Sequence, residues 1–191
     1  MNNNYNILIC GVGGQGTLLA SKILGEYALL KGMDAKLSEV HGMSQRGGSV
    51  VTYVKIGEKI NSPILFTKQA DIIMSFETLE ALRYAEILKD DGVILYNSQR
   101  IMPMTVVSGV CEYPSDIEAQ IQSKTPNVLK IDAFDLAKQA GNELTANTVM
   151  IGALAKSLQL DKDVMLEAIK NLVKPKIYQV NEKAFMLGYN V

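Results

Sequence analysis

A glycine-dense hexad, Gly11-Val12-Gly13-Gly14-Gln15-Gly16, follows the apolar run 5–10 and precedes a helical pattern over residues 17–31. This order constrains the fold more than any other feature of the chain. A short apolar run leading through glycines into a helix is the strand-turn-helix start of an α/β sheet, because the glycines tighten the turn and bring main-chain N–H groups to the mouth of the helix. Leu19, Ile23, Tyr27 and Leu30 recur at helical spacing, and Gly32 supplies the stop. The hexad fits G-x-G-x-x-G in the context that motif requires. Gly11, Gly13, Gly14 and Gly16 are therefore candidates for a phosphate-facing turn, with Gln15 a polar contact there. The same glycines would also permit close packing of strand on helix, and the motif alone leaves both readings open.

Further along, the spacing predicts strands at 34–40, 49–56, 71–76 and 93–96, a helix at 77–89 and a turn at Asp90-Asp91-Gly92. Beyond residue 97 the pattern is less regular. Residues 101–110 read as one more strand, Ser115 with Glu118 as a capping box opening a short helix, and 128–131 as the last strand. Helical segments follow at 134–140, 145–158, 161–173 and 178–188. The expected fold is α/β: a doubly wound, mainly parallel, Rossmann-like sheet with helices on both faces and a helical C-terminal tail. No repeat or composition shift divides the chain, so residues 1–191 read as one domain.

Charge excludes some function classes. Lys and Arg total 19 against 20 Asp and Glu, divided ten and ten up to residue 100 and nine and ten after it, so no basic face calls for nucleic acid or an anionic membrane. Cys10 and Cys111 are far apart, and a single His completes no metal-ligand set, which argues against a zinc or iron–sulfur centre held by this chain alone. No apolar stretch reaches the roughly 18 residues of a membrane span, and the polar start lacks the pattern of a secretion signal. A cytoplasmic protein is expected.

The loop after the second predicted strand gathers His41, Ser44, Gln45, Arg46, Gly47 and Gly48. In a doubly wound sheet it lies on the carboxyl edge beside the first glycine loop, so both can face one ligand. Arg46 carries a planar fork suited to phosphate or carboxylate; an ordinary salt bridge is its other reading. His41 is read either as a ligand contact or as a hydrogen bond that fixes the loop. Glu39 stands where a ribose-binding acid stands in a dinucleotide fold, which gives an alternative: a free-standing dinucleotide-binding oxidoreductase. Cys10 reads as a buried packing residue, and Asn97 and Ser98 as either cleft or turn residues. No Ser-His-Asp set, paired-carboxylate site or P-loop lysine is evident, so no catalytic residue is assigned.

Three stretches together, 11–16, Glu39-Val40-His41-Gly42-Met43-Ser44-Gln45-Arg46-Gly47-Gly48, and Asn181-Glu182-Lys183-Ala184-Phe185-Met186-Leu187-Gly188, resemble the gamma-type domain of 2-oxoacid:ferredoxin oxidoreductases over nearly the whole chain. Residues 39–43 tilt the resemblance toward the indolepyruvate, or arylpyruvate, branch. It implies oxidative decarboxylation of a 2-oxoacid, with electrons passed to ferredoxin and the acyl group to coenzyme A. This sequence has neither a thiamine diphosphate fingerprint nor a ferredoxin-type cysteine run. The resemblance therefore implies that thiamine diphosphate and the iron–sulfur clusters reside on a large catalytic alpha subunit, with coenzyme A at the subunit cleft near 13–16 and 44–48. A non-catalytic scaffold subunit is the remaining alternative.

Overall fold

The computed structural model describes residues 4–42 and 47–191. Strands β1 (Tyr5–Val12), β2 (Asp34–His41), β3 (Ser49–Gly57), β4 (Ala70–Ser75), β5 (Leu88–Asn97) and β6 (Val128–Ile131) form one sheet in the order β2-β3-β1-β4-β5-β6. β1, β4, β5 and β6 pair in parallel, whereas β3 runs antiparallel to both β1 and β2. The strand expected at 34–40 therefore needs one correction as a neighbour of the first: β2 runs in the direction of β1 but never pairs with it, because β3 lies between them. The cause is chain length. Residues 42–48 can close a hairpin, but a parallel connection needs a dozen residues or more.

The helices are α1 (Thr17–Leu30), α2 (Thr78–Arg83), α3 (Met104–Val107), α4 (Ile117–Lys124), α5 (Ala133–Ala140), α6 (Ala146–Ser157), α7 (Lys162–Leu172) and α8 (Tyr178–Tyr189). Alternation along the strands divides the core between two faces. Ile7, Ile9, Val54, Ile72 and Met74 point to the face covered by α1 and α5 to α8, while Leu8, Cys10, Ile73 and Ile94 point to the face covered by α2 and α4. The expected α/β sheet with helices on both faces and a helical tail is borne out.

Three local expectations fail for physical reasons. Residues 101–110 form no strand: β5 is already flanked by β4 and β6, Pro103 can donate no ladder hydrogen bond, and the segment turns instead through α3. Ser115 and Glu118 form no capping box; α4 starts after Asp116 with no side-chain cap, and Glu118 is held by Arg100 and Lys130. The helix expected over 77–89 ends at Arg83 because Leu88 already pairs with Ala70, so Asp90-Asp91-Gly92 lies inside β5 beside an irregular register.

At the carboxyl edge Asn97 is 2% exposed and ties three elements together. Its Nδ2 donates to the Phe76 carbonyl (3.2 Å) and its Oδ1 accepts the Ala133 N–H (3.0 Å). That assigns Asn97 to structure. The C-terminal motif 181–188 is likewise a packing motif: Asn181 accepts the Thr148 hydroxyl (2.7 Å) and donates to the Ile177 carbonyl (2.8 Å), Phe185 is fully buried, and Gly188 lies directly on the α6 backbone.

Candidate functional site

A cleft of about 420 Å³ opens at the carboxyl edge between the first glycine loop and the end of β2, lined by Gly13, Gly14, Gly16, Thr17, Leu18, Glu39, His41 and Val50. The two glycine-containing loops meet directly, since the Gly13 N–H donates to the Gly48 carbonyl at 2.9 Å. Of the residues expected here, Gly13, Gly14, Gly16 and His41 line the cleft, and Gly47 and Gly48 immediately precede β3. Ser44, Gln45 and Arg46 lie outside the described residues.

Gly11 and Gln15 take structural places. A Cβ on Gly11 would stand 2.7 Å from Gln15 Oε1 and 3.0 Å from Phe76 Cβ, so this position permits close packing. The Gln15 amide braces the loop from within: Oε1 accepts the Val12 N–H (2.7 Å), and Nε2 donates to the Phe76 carbonyl (2.9 Å) and to Gln99 Oε1 (3.0 Å). What the loop turns toward the cleft is backbone. Gly14 and Gly16 adopt φ of 105° and 86°, values that side-chain-bearing residues seldom take, and this left-handed turn delivers the chain into α1.

The start of α1 has no side-chain cap and no acid in its first turn. Its first N–H groups precede Ala20, whose N–H closes on the Gly16 carbonyl, and they have no partner within the helix. Thr17, which sequence reasoning passed over, lines the cleft at 7% exposure, and its hydroxyl makes no hydrogen bond among the described residues. An uncapped helix start beside the Thr17 hydroxyl is suited to oxygen ligands carrying negative charge. Among the described lining residues Glu39 is the one full charge, and it accepts the Thr52 hydroxyl at 3.4 Å. Because β3 separates β2 from β1, Glu39 stands two strand spacings, roughly 10 Å, from the strand that feeds the glycine loop. That geometry weighs against the dinucleotide alternative, in which the acid belongs on the neighbouring strand.

Behind the cleft lie two buried carboxylates one helical turn apart, Glu77 and Glu80, at 1% and 4% exposure. Glu80 Oε2 accepts the Ser49 hydroxyl at 2.5 Å and its Oε1 accepts Arg83 Nε at 3.1 Å, which fixes the exit of the second loop into β3. Glu77 caps α2 by accepting the Glu80 N–H (2.9 Å) and also accepts the Ile101 N–H and the Tyr113 hydroxyl, both at 3.1 Å. Burial, reinforced by the Glu77 charge, pushes the Tyr113 phenol up, so it stays a neutral donor. No sequence signal marks this pair, because acids three apart on an amphipathic helix read as a solvated face. Cys10 is fully buried and burial pushes its thiol up, in keeping with a packing role, while Cys111 is exposed. Among the described residues no group of three or more His, Cys, Asp and Glu could hold a metal ion, and no helix is long and apolar enough to cross a membrane.

The pyruvate ferredoxin/flavodoxin oxidoreductase family model matches residues 6–191. The chain belongs to this family. It is 43% identical over 189 residues to the indolepyruvate oxidoreductase subunit IorB of Pyrococcus horikoshii, covering 96% of this chain and 94% of that one. A solved structure of the keto/oxoacid ferredoxin oxidoreductase gamma subunit from Geobacter sulfurreducens matches with a TM-score of 0.70 and 25% identity over 97% of this chain and 96% of that one. The ketoisovalerate oxidoreductase subunit VorA of Methanothermobacter thermautotrophicus is 28% identical over 95% of this chain but only 35% of its own length. The expectation of an accessory subunit of a 2-oxoacid oxidoreductase is borne out at the level of family and subunit type.

Proposed function

We propose that this chain is a gamma-type domain over its full length and the small subunit of a heteromeric, cytoplasmic indolepyruvate:ferredoxin oxidoreductase. In this reading indolepyruvate or a related arylpyruvate is the substrate, a large alpha subunit carries thiamine diphosphate and the iron–sulfur clusters, and ferredoxin receives the electrons through the holoenzyme. The observation that carries the reading is the end-to-end match to the Pyrococcus subunit, which covers 96% of this chain and 94% of that one. The donor set agrees: two separated cysteines, one of them buried, suit a subunit that leaves redox chemistry to its partner.

The cleft is this subunit's contribution, and its ligand is coenzyme A. Coenzyme A carries phosphate groups, and the uncapped start of α1, the Thr17 hydroxyl and the glycine main chain fit one of them. Gly13, Gly14 and Gly16 form the phosphate-facing turn, while Gly11 and Gln15 hold that turn in shape. His41 lines the opposing side, and Ser44, Gln45, Arg46, Gly47 and Gly48 are assigned to the same ligand from their residue types. The planar guanidinium of Arg46 is of the type that pairs with phosphate.

Coexpression with the candidate large chain tests the proposal. Coenzyme A-dependent reduction of ferredoxin is expected with indolepyruvate, at a higher kcat/KM than with pyruvate or 2-oxoglutarate, and only when both chains are present. Full activity of the large chain alone would refute the accessory role. A preference for pyruvate or 2-oxoglutarate would refute the substrate.

A further inference from the structure

Residues 101–111 include no charged side chain, in a protein of which 20% is charged. They nevertheless lie at the surface: Met102, Met104, Val107 and Val110 are 49%, 71%, 64% and 76% exposed. Scattered apolar side chains on a surface need no explanation, but a contiguous uncharged run rich in methionine and valine has the composition of an interface core.

The segment is also built to hold its shape. Glu77 grips both of its flanks, through the Ile101 N–H and the Tyr113 hydroxyl. Between them the N–H groups of Val106 and Val107 close on the Pro103 carbonyl, and those of Val110 and Cys111 on the Thr105 carbonyl. Burying a carboxylate without a cation is costly unless hydrogen bonds offset it, and Glu77 accepts three. Fixing an apolar surface in advance lowers the ordering cost of association. The root of the segment adjoins the candidate cleft, since Gln99 accepts the Gln15 amide that braces the glycine loop.

We infer that residues 101–111 are the docking surface through which this subunit seats on the large chain of its own oxidoreductase. The inference rests on the accessory-subunit reading above. The occupant is argued from the VorA relative, in which the part matching this chain is 35% of a longer polypeptide. There the remainder of the chain is joined covalently. A domain that occurs alone must hold the corresponding partner by surface, and an uncharged, pre-shaped apolar segment beside the cleft is suited to that task.

The test uses the full chain and the separately purified large chain, with affinity measured by titration calorimetry and self-association by analytical ultracentrifugation. The double variant Met104→Asp/Val107→Asp is expected to bind at least about tenfold more weakly than the wild type. Phe66→Asp, at an equally exposed apolar position before β4 on the opposite edge of the sheet, is expected to stay within about twofold. Val110→Lys provides a second disruption should the double variant fail to melt like the wild type. If the wild-type chains associate and the segment variants bind equally well, or if Phe66→Asp weakens binding as much, the docking surface is wrong while the accessory role stands. If the wild-type chains do not associate, both readings fall. Self-association of the wild type that Met104→Asp/Val107→Asp abolishes would give the surface to a second copy and overturn the inference.

Discussion

The substitution Gly188→Ala sets two opposed effects against each other at the crossing of α6 and α8. Gly188 rests on the Val149 backbone, and reciprocally Gly152 rests on the backbone of Phe185 and Tyr189. A methyl group at 188 would overlap the Val149 carbonyl oxygen and stand 2.7 Å from its carbon and 3.0 Å from Val149 Cα. Carbon atoms settle at roughly 3.5–4.0 Å, so the helices would have to separate by about 1 Å. The obstacle is main chain, which cannot rotate aside as a side-chain tip could. Separation would also loosen Val149, Met150, Ala153 and Leu154, which are all at most 1% exposed. Overpacking costs about 1–3 kcal/mol, and a backbone obstacle places this case near 3 kcal/mol. Alanine regains about 1 kcal/mol of helix propensity over glycine, leaving a net loss of about 2 kcal/mol. For a chain of this length that lowers Tm by about 4–8 °C in a thermal melt followed by circular dichroism. Coenzyme A binding by the assembled enzyme should be unchanged at temperatures well below the melt, because Gly188 does not line the cleft. A variant melting at or above the wild type would show that the helices separate freely and that propensity decides, refuting the close-packing argument.

Other expectations follow from the same geometry. Thr17→Val removes the hydroxyl at the start of α1 and should raise the KM for coenzyme A about tenfold through loss of one hydrogen bond to a charged group, with Tm little changed; an unaltered KM would remove Thr17 from the ligand site. Glu80→Gln keeps the shape but cannot accept from both Ser49 and Arg83, so a loss of about 1.5–3 kcal/mol is expected, read as a lower urea midpoint; a wild-type midpoint would show the network to be idle. Because burial raises the Cys10 pKa, that thiol remains protonated at pH 8, and deprotonation is resisted further into alkali than for a free cysteine. A thiol reagent at pH 8 should therefore label Cys111 alone in the native chain and both cysteines after denaturation; rapid native labelling of Cys10 would contradict its burial.

The fold is legible wherever local periodicity decides it. Tyr5–Val12, Thr17–Leu30 and the tail helices fall close to their expected bounds because apolar spacing and glycine stops act over a few residues. The place of β3 was not read, because it depends on the length of the connection before it, which periodicity does not report. Residues 101–110 misled for the opposite reason. Their β-branched content suits a strand, but strand formation also needs a free sheet edge, and the sheet order provides none next to β5. Within the site, the glycines and His41 were visible because their types are unusual at those positions. Thr17, Glu77, Glu80 and Asn147 were not. Asn147, at the start of α6, would meet a Cβ on Gly16 at 2.7 Å, a contact across 131 positions that no local pattern encodes.

These hidden residues explain a division of roles at the carboxyl edge. Gln15 braces the first loop, Glu80 the exit of the second and Glu77 the uncharged segment beside them, so their polar side chains are used within the chain. What remains toward the cleft is main-chain N–H, the Thr17 hydroxyl, His41 and a single described charge, the acid Glu39. Such a wall can hold and orient an anionic ligand but presents no described nucleophile with a base beside it. The chain is thereby suited to act as half of a site. A buried carboxylate such as Glu77 serves that design better than a surface one. Its hydrogen bonds are shielded from solvent and salt, so the segment keeps one shape before a partner arrives and the cost of ordering it is borne in folding instead of in docking.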